Sequence, residues 1–217
     1  LYLPGRGGNL RFGLASAAGT KWLQDAARIE TRYRPGELIY EISDPLLGGG
    51  RLRLEAIAYA ATEGLIVRIE GGGVSPGVDL VWAFGGVNGE RGARDGDIGT
   101  ERVPISQWFQ LKPEFADGNR LTPQADGFTL VAPQASIAGV ASGAVKVEAA
   151  DAAAWGDLSA LLASTGGAPS RPVAVGRMAI PTGAPAYLSL QRLFVTGQET
   201  KELERSEERR GEGKSVD

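Results

Sequence analysis

The sequence contains no histidine and no cysteine. Without histidine there is no Ser-His-Asp triad, and without either residue there is no Cys-His pair. A zinc site built on sulfur or imidazole is excluded for the same reason. Chemistry in this chain must therefore use carboxylates, Lys, Arg, Tyr, Ser or Thr. Disulfides are impossible, which leaves the compartment open. Charge of one sign is also scarce, with a net of −3 at pH 7. That is not the basic patch that nucleic-acid binding needs. No apolar run in the sequence approaches the length of a membrane span.

What is present is period-two alternation. Leu52, Leu54, Ala56 and Ala58 share one face of the run 51–59, and Leu65, Val67 and Ile69 share one face of 65–70. Ala60-Ala61-Thr62-Glu63-Gly64 between them is a hairpin-sized turn. Strands over 28–34 and 37–43 precede these, divided by Pro35-Gly36, with Asp44-Pro45 and Leu46–Gly50 joining the second to the third. Residues 28–70 thus read as a four-strand antiparallel meander with one apolar and one wet face. Further strands are expected at 78–84, 107–111, 128–131, 136–140, 144–148, 173–175 and 187–195, and a short one around Lys21-Trp22. Asp151 to Ala163 reads as a single helix, capped by Asp151, with Trp155, Leu158, Leu161 and Leu162 on one side and Gly166-Gly167 as its stop. Many short strands with 32 Gly and 12 Pro give the fold class: all-β, an antiparallel β-sandwich with one short helix.

The chain starts at Leu1, already strand-like, and carries no recognisable signal segment. The expectation is a piece of a longer protein, with the domain over 1–197. From Glu199 the apolar pattern stops, and 198–217 is expected to be a disordered charged tail, either a linker or sequence foreign to the domain.

The polar stretch 85–106 is long for a loop, and such loops are commonly functional or disordered. Asp95-Gly96-Asp97 offers two carboxylates at a bend, the start of a calcium site, but lacks the distal bidentate Glu of the full pattern. Asx-turn chemistry, or pairing with Arg91 and Arg94, explains the same residues. Their closeness in one loop says nothing about the separation that glycoside hydrolysis requires. Trp82 and Trp108 flank the stretch and frame a groove in which sugar could stack, although a tryptophan inside a strand is more often core. The candidate substrate-binding residues are Trp82, Trp108, Asn88, Arg91, Arg94, Asp95 and Asp97. No catalytic residue and no cofactor is assigned, with calcium the one ion considered. Gly5-Arg6-Gly7-Gly8 lacks the Lys-Ser/Thr ending of a phosphate loop and reads as a strand-to-strand turn. Gly71-Gly72-Gly73 and Gly48-Gly49-Gly50 are also read as turns.

Several segments carry a family likeness in order along the chain: Leu1-Tyr2-Leu3-Pro4-Gly5-Arg6-Gly7-Gly8-Asn9-Leu10-Arg11-Phe12-Gly13, Arg32-Tyr33-Arg34-Pro35-Gly36, Tyr40-Glu41-Ile42-Ser43-Asp44-Pro45-Leu46-Leu47-Gly48, Gly64-Leu65-Ile66-Val67, Trp82-Ala83-Phe84-Gly85-Gly86 and Arg94-Asp95-Gly96-Asp97-Ile98-Gly99. Over about residues 1–197 the chain resembles the bacterial family domain of unknown function 4450. That family is found at the N-terminal side of large presumed glycoside hydrolases with an (α/α)6 catalytic barrel. The resemblance implies a large, supersandwich-like β-domain, a downstream catalytic domain as partner, carbohydrate as the substrate class, and a periplasmic or extracellular location. It implies no catalytic residue in this chain. Three functions are compatible: a non-catalytic module of a polysaccharide-degrading enzyme, an autonomous carbohydrate-binding module, or a carboxylate-dependent glycosidase.

Overall fold

The computed structural model describes residues 2–3, 5–89 and 110–193. Within them two antiparallel sheets face each other. The six-stranded sheet contains β1 (Tyr2–Leu3), β2 (Gly5–Ser16), β3 (Gly19–Trp22), β8 (Asp79–Val87), β12 (Lys146–Asp151) and β13 (Pro172–Ala179). Its order is β1-β2-β8-β13-β12, with β3 also on β2. The eight-stranded sheet contains β4 (Arg28–Arg34), β5 (Glu37–Ser43), β6 (Arg51–Ala58), β7 (Gly64–Gly72), β9 (Arg120–Pro123), β10 (Gly127–Val131), β11 (Ser136–Ala141) and β14 (Ala186–Leu193). Its order is β4-β5-β6-β7-β14-β11-β10-β9. The meander over 28–70 is therefore present strand for strand, and the all-β sandwich class holds.

The core between the sheets follows from the alternation. Ile42, Leu52, Leu54, Val67 and Ile69 point inward from the meander and meet Leu14, Leu80, Trp82 and Phe84 of the other sheet. Phe128 bridges the layers, its ring centroid 5.8 Å from Trp82 and 5.7 Å from Phe84. Each such side chain contributes roughly 1.5–3 kcal/mol on full burial. Opposite Trp82 in the register stands Gly176. A Cβ there would run into the indole ring, so the large residue on β8 requires the small one on β13.

β8 does not alternate in polarity, because both faces of its sheet are covered. Its outward residues Val81 and Ala83 join Ala15, Trp22, Val173 and Val175 in a second core closed by Trp155, Leu158 and Leu161. The expected single helix over 151–163 is divided in the structure. Asp151 caps a 3-10 turn, Ala152–Ala154, by accepting from the Ala153 amide. Asp157 then caps a new helix, α1 (Leu158–Ala163), by accepting from the Ala160 amide. Two good N-caps six residues apart start two short elements where periodicity alone suggested one. Other boundaries differ as well. Gly5–Gly8 lies within β2 rather than forming a turn, and Gly71 and Gly72 lie within β7. Residues 110–111 are irregular rather than strand, and 107–109 fall outside the described residues.

Asp44 ties the meander to its neighbours. Its carboxylate accepts from the Leu46 amide at 3.0 Å, the Ala27 amide at 3.0 Å and the Lys21 ammonium at 2.7 Å. Burial pushes this carboxyl up, but Lys21 and the two amides outweigh burial and hold it below the usual carboxylate range.

Candidate functional site

The sequence places its candidate site where β8 runs into the polar stretch after it. β8 is bent there. Gly86 has φ of 74° and Gly8, beside it on β2, has φ of 102°. Both values lie in the left-handed region that suits glycine. A Cβ on Gly8 would lie 2.6 Å from Phe84 Cζ, and one on Gly86 2.8 Å from Leu111 Cδ1. The bend changes which residues point inward, so Val87 returns to the core two positions after Gly85.

Past the bend, the amides of Asn88 and Gly89 both donate to the Arg6 carbonyl, at 3.2 and 2.9 Å. The Arg6 guanidinium lies 3.6 Å from the centre of the Phe115 ring, a cation–π contact. Asn119 is buried and donates from Nδ2 to the Val87 carbonyl at 2.6 Å. Its Oδ1 has no hydrogen-bond partner among the described residues. Arg6, Phe115 and Asn119 thus brace the end of β8 on which Asn88 sits. None stood out in the sequence: Asn119 follows a glycine in an ordinary turn pattern, and Arg6 sat in a stretch read as a turn.

The candidate residues fare differently. Asn88 is half-buried at the end of β8. Trp82 is a correction: it is fully buried, with its indole among Phe128, Gly176 and the rest of the inter-sheet core. A ring with no exposed face cannot stack on a sugar. Trp108, Arg91, Arg94, Asp95 and Asp97 lie outside the described residues, and the calcium reading rests on two of them.

A second polar cluster lies on the covered side of the six-stranded sheet. Arg11 stacks on Trp22, 4.2 Å from the ring centre, and donates to the Trp155 carbonyl at 2.8 Å. Burial lowers its pKa from the ordinary value, opposed by Asp25. The contacts are internal and join β2 to the turn before α1.

The described carboxylates with a defined direction are both held ionised. Burial pushes the Glu55 carboxyl up, but Arg53 and Arg68 outweigh it and keep it low. Asp44 behaves in the same way. A general acid needs the opposite shift, toward the working pH.

No curated protein matches this sequence. Among solved structures, the chain is similar to a bacterial glucoamylase complexed with acarbose, with a TM-score of 0.51 and 8% identity. The alignment covers 88% of this chain and 27% of that one. At that identity the likeness is one of fold, and the chain spans about a quarter of the glucoamylase. A family model matches residues 3–201, nearly the whole sequence and both sheets described above; the chain belongs to the family described as Domain of unknown function (DUF4450).

Proposed function

We propose that this chain is the non-catalytic β-sandwich module of a bacterial polysaccharide-degrading glycoside hydrolase, and that it supports a downstream catalytic domain and its substrate cleft. The observation that carries this reading is the coverage: most of this chain corresponds in fold to about a quarter of a much longer glucoamylase chain. The electrostatics agree. Asp44 and Glu55 are tied to Lys or Arg partners, which suits structural carboxylates and opposes a proton-donating role. The location that goes with this function is periplasmic or extracellular. An autonomous carbohydrate-binding module is the weaker reading, because Trp82 is withdrawn from any stacking platform.

Turnover of a broad panel of plant and bacterial polysaccharides by the purified chain tests the proposal. The expected result is no hydrolysis. Robust hydrolysis that disappears on Asp95→Asn or Asp97→Asn would replace it with the glycosidase reading.

A further inference from the structure

We infer that β4 is a self-pairing edge, through which two copies of this chain join into a two-fold dimer with a continuous sheet. This is independent of whether the module serves a catalytic domain. β4 is the terminal strand of the eight-stranded sheet, and among the described residues only β5 pairs with it. An open strand edge presents a row of backbone donors and acceptors to another strand.

The sequence of β4, Arg28-Ile29-Glu30-Thr31-Arg32-Tyr33-Arg34, is complementary to itself when reversed about Thr31. An antiparallel pair centred there sets Glu30 opposite Arg32 of the second copy, and Arg32 opposite its Glu30. On the other face it sets Ile29 opposite Tyr33, again twice. Facing pairs like these are what stabilise neighbouring strands. Registers two residues away lose the Ile29–Tyr33 pairing. One places Glu30 against Glu30 and Arg28 against Arg32; the other keeps Glu30 against Arg34 but places Arg32 against Arg32 and sets Thr31, not Ile29, opposite Tyr33. The centred register does bring Arg28 near Arg34, but each has its own carboxylate. Arg28 pairs with Glu30 at 2.6 Å and Arg34 with Glu37 at 3.9 Å.

The apolar side gives a separate reason. Ile29 and Tyr33 lie on the face that points toward the core, but at this edge the opposing sheet does not cover them. Tyr33 is 73% exposed and Ile29 39%, and Leu38, opposite Tyr33 on β5, is 39% exposed. Joining two β4 strands sets each Ile29 beside the partner's Tyr33 and makes one apolar strip across the two-fold axis. A pairing through a two-fold axis consumes both β4 edges and closes at two copies, whereas a head-to-tail contact would propagate.

Sedimentation equilibrium of the 217-residue chain from about 1 μM to about 500 μM should show reversible monomer–dimer exchange. Glu30→Arg should weaken the dimer by roughly tenfold or more, through two new Arg–Arg contacts, and combining it with Arg32→Glu should recover most of the loss. Because the chain has no cysteine of its own, Thr31→Cys supplies a direct readout. It should form a disulfide-linked dimer under mild oxidation, because the two-fold axis sets Thr31 opposite itself, with Cβ atoms about 4.5–5.5 Å apart or closer, within a small shift of the roughly 3.5–4.5 Å that a disulfide needs. Val140→Cys, also exposed but on β11 and away from the axis, should not. A chain that remains monomeric throughout the range, or a Thr31→Cys variant that cross-links no faster than Val140→Cys, would overturn the inference.

Discussion

The two sheets differ most on the faces they turn away from each other. The outward face of the six-stranded sheet is apolar and roofed at its centre, around the cation Arg11: Val81, Ala83, Val173 and Val175 lie beneath Trp155, Leu158 and Leu161. The outward face of the eight-stranded sheet is open and charged. Across β4 to β7 a chain of ion pairs runs from Arg28 to Glu30, Arg32, Glu41, Arg53, Glu55, Arg68 and Glu70. Even so, Ile39 on this face is only 1% exposed. It lies between Arg32 and Glu55 in the register, whose aliphatic stems shield it. Alternation alone therefore does not tell a wet face from a covered one. The residues between the core positions do, charged across β4 to β7 and Ala, Val or Gly through the middle of β8 and β13.

This contrast predicts unequal responses to the same chemistry. Ala83→Arg puts a second guanidinium opposite Arg11, beneath the roof, where volume and charge have no room. It should cost more than about 4 kcal/mol and prevent folding or lower Tm by well over ten degrees, read by thermal denaturation. Ile57→Arg, on the open face beside Glu37, should stay within about 0.5 kcal/mol. Equal losses from the two would erase the distinction.

Asp44→Ala should have an intermediate effect, since it removes the cap on the turn after β5 and the partner of Lys21. A loss of about 2 kcal/mol, or ~4–8 °C in Tm, is expected at pH 7. The folded-state pKa of Asp44 is lowered. Its stabilisation is thus fully present above the unfolded value, about 3.9, and lost as pH falls through the lower folded value. The gap between wild type and variant should narrow steadily below about pH 4. A gap independent of pH would assign the role of Asp44 to packing instead.

The meander was legible because each strand pairs with its sequence neighbour, and a connection that holds Pro or Gly, or runs directly into Gly64, marks each reversal, from Pro35-Gly36 to the seven residues 44–50. The six-stranded sheet was harder to read. β8 joins β2 and β13, which are far from it in sequence, and its run of apolar residues carries no period. β9 was missed because Arg120–Pro123 is short and has little apolar signal. The division of the helix could have been read from Asp157, a capping residue three positions before Ala160. At the candidate site, Trp82 illustrates the limit of local reading. Its position beside a polar stretch suggested a binding platform, whereas strand register turned the ring inward. Asn119 and Arg6 were invisible because their contacts span distant segments.

One sheet is an enclosed middle layer and the other ends in an open edge. Hydrogen exchange followed by mass spectrometry, at about 1 μM to keep the chain monomeric, tests this contrast directly. Amides of β8 should exchange only through global unfolding, while those of β4 should exchange roughly a hundredfold faster or more through local opening. Protection of β4 equal to that of β8 at this concentration would contradict the account.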